Sequence, residues 1–351
     1  MSSKTLIAAL CAGAALSATA FAATTFAATP MAKPDGDMQK VLDAQASLKP
    51  KPIETLTPAQ ARMQPSPADG AKLVIKQEGM DPNDPMGVTT RDIQVQGGDG
   101  MIPARVYIAD DADKTKPLPI VVYYHGGGFV IATNDTYDAS PRAIAKATKA
   151  IVIAVEYRKA PENKFPAAYD DAFAAYKWAL DHGKELGGSS TVAVMGESAG
   201  GALALATAIK ARDEKLPLPA REVLVYPIGG TNMATPSYTE NANAKPLNKP
   251  MMMWFTKYTI KGPGDKTDPR LDAIGKADLR GLPPTTIVLA QIDPLRSDGE
   301  MLGDKLKKAG VDVHTKTYDG VTHEFFGMGA VVGKAKDAEG FVSDDLKSSL
   351  Y

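Results

Sequence analysis

The stretch Val192-Ala193-Val194-Met195-Gly196-Glu197-Ser198-Ala199-Gly200-Gly201 decides how this chain folds. Its first four residues are apolar without alternation, as in a strand buried on both faces. The alanine-rich run 199–211 then reads as a helix. Between them, Gly-x-Ser-x-Gly fits a sharp strand-to-helix turn. That turn strains Ser198 and exposes its hydroxyl, and a side chain at 196 or 200 would collide with the neighbouring strand and helix. The helix N-terminus behind the serine offers free N–H groups and positive potential to a developing anion. The glycine spacing fits neither a dinucleotide fingerprint nor a Walker phosphate loop.

The same alternation extends in both directions. Continuous apolar runs at 119–124, 150–155, 223–226 and 286–290 join 192–195, and 311–318 is a last, alternating strand. Residues 92–96 and 104–107 alternate as an antiparallel, half-buried pair does. Helical patterns occupy 141–148, 167–182 and 299–309; in the second, Tyr169, Phe173, Tyr176 and Leu180 recur at helical spacing and should face a sheet. Strand–helix alternation predicts a mostly parallel, doubly wound eight-stranded sheet with right-handed crossovers and helices on both faces. Residues 23–90 are proline-rich with short helical patches such as 38–48, and read as an N-terminal arm or lid on a catalytic domain at 91–351. Residues 229–268 interrupt the alternation and predict a helical excursion over the sheet. Within them, Met251-Met252-Met253-Trp254-Phe255 reads equally as core packing or as a pliable ligand wall.

Composition bounds the function. The 351 residues are 44% hydrophobic and 23% charged, enough for a large core. Forty Lys+Arg balance 41 Asp+Glu, which argues against a dedicated nucleic-acid binder. The single cysteine, Cys11, excludes an intramolecular disulfide framework and any multi-cysteine metal site. Lys4, the uncharged run 6–20 and the Ala20-Phe21-Ala22 site have the layout of a secretory signal peptide, residues 1–22. The run is short and alanine-rich for a membrane anchor, so no stable membrane insertion is expected after cleavage. Export to the periplasm or medium follows, with a mature chain free of thiols.

The chemistry is assembled from four segments. His125-Gly126-Gly127-Gly128-Phe129 ends a strand, and consecutive glycines leave backbone N–H groups uncovered for a tetrahedral oxyanion. Gly127 and Gly128, with Ala199 after the serine, are the candidate donors. Ser198 needs an imidazole base, and the chain has four histidines. In a strand–serine–helix arrangement of this kind, the base follows both the serine and the acid. His125 and His182 precede Ser198, and His125 more plausibly braces the glycine loop. His314 lies opposite two valines on a strand, at a solvated or edge position. His323, in a loop after that strand, is the candidate base. Asp293, at the end of the apolar run 286–290 and followed by Pro294, is the candidate acid, favoured over Asp298, Glu300 and Asp319. Phe129, Trp254 and Phe325 stand as candidate substrate-contacting residues.

His125-Gly-Gly-Gly-Phe, Gly196-Glu-Ser-Ala-Gly-Gly, Asp293-Pro-Leu-Arg and His323-Glu-Phe-Phe occur in order, and 156–162 and 165–168 match a further stretch. Over residues 90–330 the chain resembles the hormone-sensitive lipase-like carboxylesterases of the α/β-hydrolase fold. The resemblance implies a serine esterase with a cap built from the N-terminal segment and the 229–268 insertion. It also implies that Glu197 supports the active site. Many relatives carry Asp at position 197 and Gly at position 324; the second difference bears on the acyl pocket. The resulting expectation is an esterase acting on short- to medium-chain esters through an acyl-enzyme, with no metal or organic cofactor. Short or medium acyl chains are favoured over triglyceride because no long exposed apolar lid helix is visible. A peptidase or amidase of the same fold and a non-catalytic binding protein are the rival readings, and a homodimer is left open.

Overall fold

The computed structural model describes Met1 and residues 30–351, so the expected signal peptide lies almost wholly outside the described residues. Eight strands form one sheet in the order β1-β2-β4-β3-β5-β6-β7-β8. β1 (Val88–Gly97) and β2 (Gly100–Ala109) form the antiparallel hairpin expected of the two alternating runs. β2 lies antiparallel to β4 (Ile151–Val155), and every later pairing is parallel. The remaining strands are β3 (Leu118–Tyr124), β5 (Gly188–Glu197), β6 (Glu222–Val225), β7 (Thr285–Ile292) and β8 (Val313–Thr322). Every residue of β3, β4 and β6 is buried, which accounts for the unbroken apolar sequences of β3 and β4 and for the apolar run that follows the buried Glu222 in β6.

Before the sheet come α1 (Gly36–Ser47), α2 (Pro58–Ala61) and α3 (Pro67–Gln77). α4 (Ala139–Thr148), α5 (Ala167–His182) and α6 (Ala199–Asp213) follow β3, β4 and β5. Between β6 and β7 lie α7 (Pro236–Glu240) and α8 (Lys249–Thr259), within the 229–268 excursion, and α9 (Ala273–Lys276), beyond it. α10 (Arg296–Lys308) and α11 (Gly333–Leu350) follow β7 and β8. One face of the sheet packs α5, α6 and α10; the other packs α1, α3, α4 and α11. α5 has no side-chain N-cap, yet it buries Tyr169, Phe173 and Tyr176 against the sheet. At roughly 1.5–3 kcal/mol per large apolar side chain, that burial outweighs a missing cap worth about 1 kcal/mol.

A third apolar cluster lies above the sheet and joins Ile53 and Ala61 of the N-terminal segment to Leu247, Met252, Trp254 and Phe255 of the insertion. Arg62 fastens the first part to the body. Its guanidinium donates to the carbonyls of Val130 and Ala160 and forms a bidentate pair with Glu162. The cap is thus made from two segments far apart in sequence. Among the described residues, no helix is long and apolar enough to cross a membrane.

Candidate active site

Three adjacent parallel strands, β5, β6 and β7, and the edge strand β8 end on one rim of the sheet. Ser198 follows β5, Asp293 follows β7 and His323 follows β8, so residues up to 125 positions apart in sequence meet at that rim. β8 runs four residues beyond the expected end at 318, which carries His323 up to the serine.

Ser198 occupies φ 55°, ψ −115°, a strained turn conformation for a residue with a side chain. It is held there because the backbone closes tightly on either side. A Cβ at Gly196 would strike the carbonyl of Gly200, and one at Gly200 would strike the carbonyl of Tyr124. Nε2 of His323 lies 3.0 Å from Ser198 Oγ, and Nδ1 lies 2.7 Å from Oδ2 of Asp293. Asp293 is fully buried, and its Oδ1 accepts the N–H of Leu295 at 2.8 Å. An imidazole tied to a carboxylate on one nitrogen and to a hydroxyl on the other can take the hydroxyl proton as oxygen attacks.

Asp298, the rival carboxylate, is used elsewhere. It is buried, accepts the N–H groups of Gly229 and Gly230, and is pushed up to about 8 by burial. His314 is half-exposed and pairs with Asp345, as its strand position predicted.

The glycine loop stands beside the serine. Gly127 and Gly128 take φ values of +95° and +58°, and the Gly127 carbonyl closes a turn by accepting from Val130 and Ile131. Among the described residues, no backbone carbonyl accepts the N–H of Gly127 or Gly128. Ala199 opens α6, so its N–H has no acceptor within the helix. His125 is buried, with Nδ1 2.7 Å from the Gly126 carbonyl, and it stacks on Tyr157 at 4.4 Å. Tyr157 in turn donates to the carbonyls of His125 and Gly126. The loop is therefore braced from beneath.

Glu197 is fully buried below the serine and accepts the phenols of Tyr123 and Tyr226, each at 2.5 Å. Burial pushes its carboxyl up to about 7, against the hydrogen bonds that favour the ion. Tyr226 then lies against the His323 ring at 4.5 Å, so Glu197 reaches the imidazole through a tyrosine.

Gly127, Gly128, Ser198 and His323 line one cavity of about 330 Å³. The sequence profile of the alpha/beta hydrolase fold family matches residues 121–327, which hold the glycine loop, the serine turn, Asp293 and His323. The chain is 40% identical over 266 residues to the carboxylesterase NlhH of Mycobacterium tuberculosis, covering 73% of this chain and 81% of that protein. The chain belongs to the hormone-sensitive lipase-like carboxylesterases. It is also 30% identical over 316 residues to the ethyl acetate hydrolase of Pseudomonas putida, covering 89% of this chain and 97% of that protein. Among solved structures, the hyperthermophilic esterase of Pyrobaculum calidifontis superposes with a TM-score of 0.79 at 34% identity, covering 91% of this chain and 99% of that one. The protein is a carboxylic-ester hydrolase.

The structure moves all three candidate substrate residues of this carboxylesterase out of the cavity wall. Phe129 is buried and packs on Tyr169 at 5.5 Å, its φ of +63° turning the side chain inward from the loop. Phe325 is fully buried between Tyr226 and Tyr318 on the face of the sheet that packs α1, α3, α4 and α11. Trp254 is a strut, donating from Nε1 to the Leu56 carbonyl and joining the two cap segments. The wall is built instead by Met251, Met252 and Phe255 of α8, facing Ile53 and Leu42 of the N-terminal segment. One residue along a helix turns the side chain by about 100°, enough to exchange Trp254 for Phe255.

Glu324 also lines the cavity. Burial favours the neutral His323 ring, but the charge and hydrogen bond of Asp293, then Glu324 and Glu197, outweigh it and hold the pKa above the ordinary 6.5. His323 must be neutral to accept a proton, so activity falls as pH drops through that raised pKa. The acid limb of kcat/KM for this carboxylesterase is expected above pH 6.5, the reference value for histidine. Glu324→Gln is expected to move the limb down, as a pH–rate profile will read.

Proposed function

We propose that the protein is an exported serine carboxylesterase that hydrolyses short- to medium-chain esters through an acyl-enzyme on Ser198. The observation that carries this reading is the unbroken chain from Ser198 Oγ through His323 to Asp293, with Ser198 and His323 lining the cavity.

His323 Nε2 takes the Ser198 proton as Oγ bonds to the ester carbonyl carbon. The N–H groups of Gly127, Gly128 and Ala199 receive the oxyanion. Nε2 then returns the proton to the leaving alkoxide, and the carbon–alkoxy bond breaks to leave the acyl group on Oγ. Water repeats the sequence and releases the acid. Asp293 keeps the Nδ1 proton in place and stabilises the imidazolium. His125 and Gly126 hold the loop, and Glu197 holds Tyr226 against the imidazole.

The cavity is at the small end of the roughly 300–1,000 Å³ range for ligand pockets, which favours modest acyl groups. Similarity to an ethyl acetate hydrolase points the same way. The signal-peptide layout of residues 1–22 supports export.

A fluorophosphonate is expected to add once per chain, mapping to Ser198 by peptide mass. Across p-nitrophenyl esters, kcat/KM should peak between acetate and octanoate and fall by about tenfold or more at palmitate. Labelling elsewhere, or faster cleavage of a matched anilide than of the ester, would overturn the reading. Recovery of the protein outside the cytoplasm with its N-terminus near Ala23 tests the export arm.

A further inference from the structure

We propose that Glu324 holds the water that attacks the acyl-enzyme, and so biases the acyl group toward water over alcohols. The inference rests on the acyl-enzyme reading above.

Glu324 follows His323 directly and sits at φ +70°, a conformation that suits glycine and strains a residue bearing a side chain. Its carboxylate is pinned at one end: Oε2 accepts the hydroxyl of the buried Tyr137 at 2.5 Å. The other oxygen, Oε1, lies 3.7 Å from Nε2 of His323, and the side chain is 20% exposed on the cavity wall. Among the described residues, Tyr137 is the side chain that donates to this carboxylate. The gap to Nε2 is too long for a direct hydrogen bond, and one water can close it at a compressed angle. Two hydrogen bonds of about 2.8 Å across it meet at roughly 80°, a compressed but usable angle for a water donating both protons.

Such a water has its lone pairs free to face the acyl carbon. As its oxygen bonds to that carbon, one proton passes to Nε2 and the other stays hydrogen-bonded to Oε1. The tetrahedral adduct then collapses: the carbon–Oγ bond breaks, Nε2 returns its proton to Ser198, and the acid departs with the remaining water proton. An alcohol has a single hydroxyl proton, which Nε2 needs. It would present carbon to a fixed carboxylate, losing the second hydrogen bond and meeting steric resistance.

The test is the partition of the butyryl-enzyme, formed from p-nitrophenyl butyrate in water containing methanol. The ratio of methyl butyrate to butyrate is set after acylation, so it reads this step whichever step limits turnover. Glu324→Gly, suited to φ +70°, is expected to raise the ratio by about tenfold or more. Glu324→Gln keeps the volume; with its amide oxygen on Tyr137 it offers the water a donor, and the ratio should rise by about threefold or more. An unchanged ratio in both variants overturns the proposal. A rise in the glycine variant alone also overturns it, because bulk would then suffice. Changing the leaving group separates the two levels: a methyl butyrate to butyrate ratio that is the same from p-nitrophenyl and phenyl butyrate reports one common acyl-enzyme, and a ratio that differs between them refutes the acyl-enzyme itself.

Discussion

Ser198→Ala is expected to lower kcat on p-nitrophenyl butyrate by roughly a million-fold, with His323→Ala costing a similar factor and the double variant little more. The two side chains act as one device. The hydroxyl attacks only as Nε2, 3.0 Å away, removes its proton, so losing either partner abolishes the same step. The residual rate then comes from the cavity and the N–H groups of the glycine loop, which neither substitution touches. Ser198→Ala should leave the fold intact, whereas His323→Ala, which leaves the buried Asp293 without its imidazole, should lower the melting temperature. Ser198 is held in its turn by backbone contacts around Gly196 and Gly200, and alanine removes a hydroxyl from a pocket already open to the cavity. Steady-state kinetics with thermal unfolding distinguishes the outcomes. If Ser198→Ala kept more than about one part in a hundred of the activity with an unchanged melting temperature, the nucleophile would be elsewhere.

The sheet was legible because burial on both faces leaves a simple mark. β3, β4 and β6 have no exposed residue; β3 and β4 are unbroken apolar runs, and β6 departs from one at its first residue, the buried Glu222. The four chemical segments were legible because local geometry restricts residue type. Only glycine tolerates the backbone closure around Ser198, and strand ends deliver Asp293 and His323 wherever the sheet places them. The cavity wall left no such mark. Leu42, Ile53 and Phe255 come from separate elements, and nothing in local periodicity states which faces turn inward when those elements dock. Aromatic identity was therefore a poor guide: Phe129, Trp254 and Phe325 carry large apolar surface and were drawn into packing. Glu324 was visible as a residue where glycine is usual, but its meaning depends on Tyr137, which lies 187 positions earlier and meets it only in the folded chain.

Asp293→Asn is expected to lower kcat by about ten-thousand-fold, although it replaces one oxygen by an isosteric nitrogen. The reason lies in the second hydrogen bond of the carboxylate. Oδ1 accepts the N–H of Leu295 at 2.8 Å, so in the variant the amide oxygen is retained there and the amide NH2 takes the place of Oδ2. That group then donates across the 2.7 Å contact to Nδ1 of His323. A neutral imidazole that accepts at Nδ1 must carry its proton on Nε2, and Nε2 can no longer receive the serine proton. No neighbouring acid can repair this. Asp298 is bound to the backbone of Gly229 and Gly230, and Glu324 lies on the Nε2 side of the ring. Fluorophosphonate labelling of Ser198 should slow in parallel with ester hydrolysis, because both need the same proton transfer. Retention of more than about one hundredth of kcat/KM would mean that Asp293 only packs against His323 and that the imidazole sets its own tautomer.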